Sequence, residues 1–189
     1  MRLFVFLFFT GILLIVLSCQ KDQNFEKFIV DESLPTHDTI QLLSKYPELK
    51  LYNSEIVESK TRTAFIIQKA FYYDGLLKGS FLFDDYKCKA QYQNDTLNIL
   101  LNNDNGYFGN GVLVKVFNNQ FYIKDIDPKT LKSEKKFIKS NVSRQKLILN
   151  TSKFKKNDSI YGFIDYKCRI DSLVYKHFRG YFKTIIQQN

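Results

Sequence analysis

The chain has 189 residues, a formal net charge of +9, 44% hydrophobic and 25% charged residues, the balance of a folding chain rather than a disordered one. Three cysteines and two histidines exclude a disulfide-dense scaffold, and no CxxC pair or Cys/His cluster has zinc spacing, so neither metal nor cofactor is expected. Eighteen Phe and twelve Tyr with no Trp favour sheet, where aromatic side chains pack well on a pleated surface.

Arg2 supplies a short positive start, and residues 3–17 are apolar except for Thr10 and Gly11. That run is shorter than the roughly 20 residues a membrane-spanning helix needs, and it has the length of a secretory signal. It ends in Val16-Leu17-Ser18-Cys19, a small residue directly before a cysteine, and this resembles the lipobox of bacterial lipoproteins. The resemblance covers only the leader. It implies cleavage between Ser18 and Cys19, with Cys19 acylated on its sulfur and on its new amino group as the lipid attachment. Several acyl chains hold where one binds only reversibly, since each buried methylene contributes about 0.8 kcal/mol. Gln20 stands where an Asp, by the enteric-type sorting rule, favours inner-membrane retention. The resemblance therefore places the protein at the outer membrane of the cell envelope, with the membrane face left open.

On this reading residues 1–18 are the signal peptide, 19–34 the acylated cysteine and a flexible tether, and 35–189 one β-rich domain. Loss of Arg2 with the leader leaves 171 residues at +8, enough for a single core. Outside the cytoplasm nucleic acid is not expected as a partner. An anionic envelope component or an acidic protein is.

Along the domain, Thr36, His37 and Asp38 offer caps before Ile40, Leu43 and Tyr46 at helical spacing, and Pro47 disfavours helix at Tyr46. One short helix is predicted, and strands thereafter. The clearest is a hairpin over residues 112–126, with Asn118-Asn119 as a type I′ turn. Its register pairs Val116 with Phe121 and Val114 with Ile123 on one face, and Lys115 with Tyr122 and Leu113 with Lys124 on the other. Residues 129–139 form a lysine-rich connection. Strands follow at 145–151, 160–170 and 177–186, with a turn at Lys155-Lys156-Asn157-Asp158. The fold class expected is mostly β, an antiparallel β-sandwich or partly closed barrel with one short N-terminal helix.

Two segments match each other: Phe83-Asp84-Asp85-Tyr86-Lys87-Cys88-Lys89 and Phe163-Ile164-Asp165-Tyr166-Lys167-Cys168-Arg169. Strand alternation puts Leu82, Tyr86, Cys88, Ala90 and Tyr92 on one face, and Ile164, Tyr166, Cys168 and Ile170 on one face opposite Asp165, Lys167 and Arg169. Cys88 and Cys168 both point inward, either as a disulfide between the two strands or as two buried thiols.

For catalysis the inventory is thin: there is no HExxH, GxSxG, Walker-type loop or EF-hand pattern, so no catalytic residue is assigned. The surface feature with binding character is Tyr175, His177, Arg179, Tyr181 and Lys183, one parity of the last strand, opposite Phe178, Phe182 and Ile186. Aromatic faces beside cations suit a sugar, a phosphate or an acidic protein patch, while the plain alternative is a solvated strand face. Asp38-Thr39-Ile40, Asp95-Thr96-Leu97, Asp158-Ser159-Ile160 and Asp171-Ser172-Leu173 resemble the acceptor triplet of extracytoplasmic O-glycosylation, and equally fit turns that enter strands. The function expected is a membrane-anchored binding or assembly module, not an enzyme. The rivals are an immunity-type lipoprotein that neutralises an acidic toxin and an envelope hydrolase whose site would join two carboxylates, or a carboxylate and His177.

Overall fold

The computed structural model describes residues 25–74, 77–105, 109–127, 136–170 and 174–187. The predicted hairpin forms in the predicted register from β7 (Gly111–Phe117) and β8 (Gln120–Asp127), including the pairs Val116 with Phe121 and Val114 with Ile123. Asn118 and Asn119 hold φ of 48° and 58°, the left-handed backbone that a two-residue turn between right-twisted strands demands. Val112, Val114, Val116, Phe121 and Ile123 are buried, so the alternation makes one face core.

The same logic builds β5 (Lys87–Gln93) and β6 (Thr96–Asn102), joined by Asn94 and Asp95, both again at positive φ. These four strands make an antiparallel meander in the order β8, β7, β6, β5. A short β9 (Lys136–Ile138) flanks β8. Against the meander lies a second antiparallel set: β10 (Asn141–Leu149), β11 (Ser159–Arg169), β12 (Val174–Gln187), β3 (Ala64–Asp74) and β4 (Leu77–Phe83). The long β12 joins the two. Its residues from Val174 to Phe182 pair with β3, and Ile186 and Gln187 pair in parallel with Ala90 and Gln91 of β5.

The opposite seam is closed by the start of the described chain. β1 (Glu26–Lys27) pairs with β8, and after Phe28 the chain crosses to pair β2 (Ile29–Val30) with β10. The sheet is thus a nearly closed, mostly β barrel, with Phe28 buried where the chain switches strands. Of the tether expected over residues 19–34, residues 19–24 lie outside the described residues, while Glu26–Lys27 and Ile29–Val30 are paired into the barrel. The segment's polar composition hid two short backbone ladders and one buried ring. Inside, Ile164, Phe178 and Phe182 meet Ile99, Val114 and Phe121 in one cluster, each contributing roughly 1.5–3 kcal/mol by burial.

The one α-helix among the described residues, α1 (Asp38–Leu43), follows a 3-10 turn at Leu34–Thr36 and buries Ile40 and Leu43. It stops short of Tyr46, which is exposed, so the expected third helical contact is not made. No helix among the described residues is long and apolar enough to cross a membrane. In the repeated segments Tyr86, Cys88, Tyr166 and Cys168 all point inward as expected. Leu82 does not: it belongs to β4, separated from β5 by Asp84 to Tyr86, and is exposed.

Candidate functional site

Tyr175, His177 and Arg179 emerge on the outer face of β12, alternating with buried Lys176 and Phe178. Pairing then extends each of them into a row across neighbouring strands. His177 lies between Lys69 of β3 and Lys167 of β11, and Lys167 pairs on with Arg144 of β10. Arg179 lies between Ile67 and Asp165, and Tyr175 between Phe71 and Arg169. The outer face therefore carries a basic row flanked by aromatic and arginine groups. Asp165, largely buried, binds His177 Nε2 at 3.0 Å and Arg144 at 3.2 Å, while among the described residues Lys69 and Lys167 form no ion pair. Arg179 lies 5.5 Å over the Phe163 ring, and Arg169 lies 5.3 Å over Tyr175.

His177 lines two shallow clefts. One, of about 540 Å³, is bounded by Phe71, Ser143, Lys167 and Tyr175. The other, of about 370 Å³, is bounded by Phe65, Ile67, Lys69, Arg179 and Tyr181. A register shift between Val142 and Arg144 leaves Ser143 bulged beside the first, its hydroxyl donating to the Lys167 carbonyl at 3.2 Å.

The other two members of the expected stripe are occupied from within. Tyr181 stacks on His37 at 4.2 Å and packs against Phe163 at 4.8 Å. Lys183 donates to Ser44 Oγ at 2.5 Å, and burial lowers its ammonium pKa. The segment around α1 thus covers one end of the face and leaves Tyr175, His177 and Arg179 open. Reading one strand at a time missed Lys69, Lys167 and Arg144. Their parity was legible, since Lys167 already stood opposite Cys168, but only register makes them neighbours.

Beneath this face lies a buried polar cluster that no motif announced. Asp125 of β8, fully buried, accepts from Lys176 Nζ at 2.7 Å, from the Tyr166 hydroxyl at 2.5 Å and from the Cys168 thiol at 3.3 Å. Ser140 Oγ lies 3.1 Å from the Tyr166 hydroxyl, and Lys176 also reaches the Gly111 carbonyl at 3.5 Å. Burial pushes the Asp125 carboxyl up, but the Lys176 ammonium and the donated hydrogen bonds outweigh it and hold the group below its ordinary value. Burial together with the Asp125 charge raises the Tyr166 hydroxyl and pushes the Cys168 thiol up to about 12. Cys88 is raised too, chiefly by burial.

Both cysteines are free, so the disulfide is not formed and the thiol alternative describes them: Cys168 is spent on Asp125, while Cys88 sits in the apolar core of the other sheet. Of the acceptor-like triplets, Asp38-Thr39 opens α1, Asp95-Thr96 opens β6 and Asp158-Ser159 opens β11, the placement that turn chemistry alone dictates. Asp171-Ser172-Leu173, the lipid-attachment residue Cys19 and most of the lysine-rich connection at 129–139 lie outside the described residues. Among the described residues no group of three or more His, Cys, Asp and Glu side chains is placed to hold a metal ion. The chain matches no family model, no curated protein and no solved structure.

Proposed function

We propose that the protein is a lipid-anchored envelope binding module, held by Cys19, whose β12 face docks an anionic group on a ligand or an acidic protein. The observation that carries this is the row Lys69, His177, Lys167, Arg144, which sets basic side chains directly opposite one another on four adjacent strands. Lys167 and Arg144 are like charges directly opposed, an arrangement that destabilises a sheet, and among the described residues Asp165 is the one carboxylate seen to offset the row from within. An anion from outside supplies the missing charge. Phe71 and Tyr175 add apolar surface beside it, as recognition of a sugar-bearing or aromatic acidic group uses.

The test is binding of polyglutamate and of inorganic polyphosphate to the full acylated chain in detergent. Lys69→Glu with Lys167→Glu is expected to weaken binding about tenfold or more, which is ~1.4 kcal/mol, while Lys45→Glu with Lys50→Glu leaves it unchanged. Equal loss in both pairs would reduce the effect to net charge and overturn the assignment. The anchor is tested separately by detergent-phase partition, expected for the wild type and lost in Cys19→Ala.

The His177 and Asp165 pair beside Ser143 also favours, as a second reading, the hydrolase rival. Two features weigh against it: Asp165 is shared with Arg144, and the Ser143 hydroxyl is committed to a backbone carbonyl. Hydrolysis of activated esters that is abolished by both Ser143→Ala and His177→Asn would restore it.

A further inference from the structure

From the tether end of the barrel we infer that this protein rests on the lipid surface through a defined aromatic, lysine-bearing rim, which holds the β12 row away from the membrane. The inference rests on the acyl-anchor reading and adds to it an orientation and a contact surface.

The described chain begins at Phe25, six residues after Cys19, so the anchor lies within about 22 Å of Phe25 even if the intervening chain is fully extended. Phe25 is partly exposed and packs edge-on against Phe117 at 5.5 Å and Tyr122 at 5.2 Å, beside the Asn118-Asn119 turn. Around that turn gather the tip of the β5 and β6 hairpin and the connection between β10 and β11, which bring Tyr92, Phe154, Lys153 and Lys155 to one cleft of about 390 Å³. Lys27, Lys153, Lys155 and Lys156 are exposed there, and Lys124 lies 5.5 Å over the Tyr122 ring. Glu26, Asp95 and Asp158 lie at this end as well, as does Asp31, whose amide donates to the Leu149 carbonyl at 2.9 Å, so lysines and carboxylates are mixed around the rings.

Rings with a wet edge, mixed with lysines, are the composition that settles at a headgroup boundary. Tyr and its neighbours sit at the interface, and each lysine near an anionic leaflet adds attraction. The occupant is therefore the lipid surface that holds the anchor, and both the short tether and the ring cluster beside exposed lysines point to it.

The β12 row stands elsewhere. Phe121 of β8 pairs with Glu26 at the tether end, whereas Asp125, four residues further along the same strand, meets Lys176 beside His177. Those four residues span roughly 13 Å. The row also lies on the far side of the core, because Phe178 and Phe121 point into one shared cluster from opposite sheets. A barrel seated on its tether end presents Lys69, His177, Lys167 and Arg144 to soluble partners and not to its own bilayer.

The chain contains no Trp, so single tryptophans report position without background. The acylated full chain carrying Phe117→Trp, and separately Phe71→Trp, is bound to phosphatidylcholine and phosphatidylglycerol vesicles whose acyl chains are brominated, after a vesicle-flotation check. Phe117→Trp is expected to shift to the blue and lose emission to the bromines, while Phe71→Trp stays open to aqueous iodide. Tyr122→Trp repeats the first measurement in case Phe117→Trp does not fold. If the protein floats but the rim tryptophans stay unquenched, or if Phe71→Trp is quenched as strongly, this orientation is wrong and the anchor stands. If the acylated chain does not float, the anchor reading fails and takes the orientation with it.

Discussion

Asp125 is the residue on which most interior chemistry converges. With Lys176 it forms an ion pair in which the two side chains are 0% and 3% exposed, so removing one partner strands the other in the core. Asp125→Asn is expected to cost about 3–5 kcal/mol, read as a shift of the urea midpoint, because Lys176 keeps its charge. Asp125→Asn with Lys176→Met is expected to recover most of that loss, since the charge goes and an amide remains to accept from Tyr166. The pH dependence follows from the depressed carboxyl. Its contribution is complete above the ordinary value of 3.8 and is lost as pH falls through the lower folded value, so the wild type loses stability below about pH 4 and the double variant lacks this component. The thiols carry a matching expectation. With the Cys168 thiol pushed up to about 12 and Cys88 raised as well, neither is labelled by a thiol reagent at pH 8 in the native protein. Both are labelled in denaturant without reductant, and a chain that needs reductant first would hold a disulfide after all.

Among the elements, β12 is the one whose residues do two jobs, and Gly180 shows the constraint. A Cβ there would stand 2.1 Å from the Phe65 carbonyl oxygen and 2.6 Å from Ile66 Cα, atoms of the β3 backbone that cannot move alone. Gly180→Ala is expected to push β3 from β12, lower stability by about 3 kcal/mol in thermal melts, and weaken anion binding by separating Lys69 from His177. The hairpin of β7 and β8 was legible to the register from sequence, because its turn and its alternation are local. The helix was legible for the same reason, through Ile40 and Leu43. The basic row was not, because Lys69 and Lys167 are 98 positions apart and become neighbours of His177 only when β3 and β11 take their places beside β12. Nor was the Asp125 cluster: an aspartate in Tyr122 to Asp127 reads as the polar end of a strand until Lys176 is placed against it.

For the molecule as a whole, charge and closure set the expectations. The proposed anion binding through Lys69 and Lys167 is expected to weaken as salt rises, because the Debye length shrinks to about 8 Å at physiological ionic strength, and the Lys69→Glu, Lys167→Glu variant should show a flatter salt dependence. Closure depends on residues 26–30. Phe28→Ala removes a buried ring at the point where the chain passes from β8 to β10, and a loss of about 3 kcal/mol with faster amide exchange in β1, β2 and the facing edges is expected. Exchange that quickens everywhere alike would mean that the seam has no separate stability.

The strands that close the barrel, β1 and β2, are also the first described strands after Cys19. Under the proposed Cys19 anchor, tension on the lipid would reach β1 and β2 first, and since these hold by two residue pairs each, a pull would shear the seam before it loads the long ladders of β11 and β12. Proteolytic release then has two outcomes set by a few residues of position. A cut before Phe25 sheds a closed barrel, and a cut between Val30 and Leu34 sheds one with an open flank.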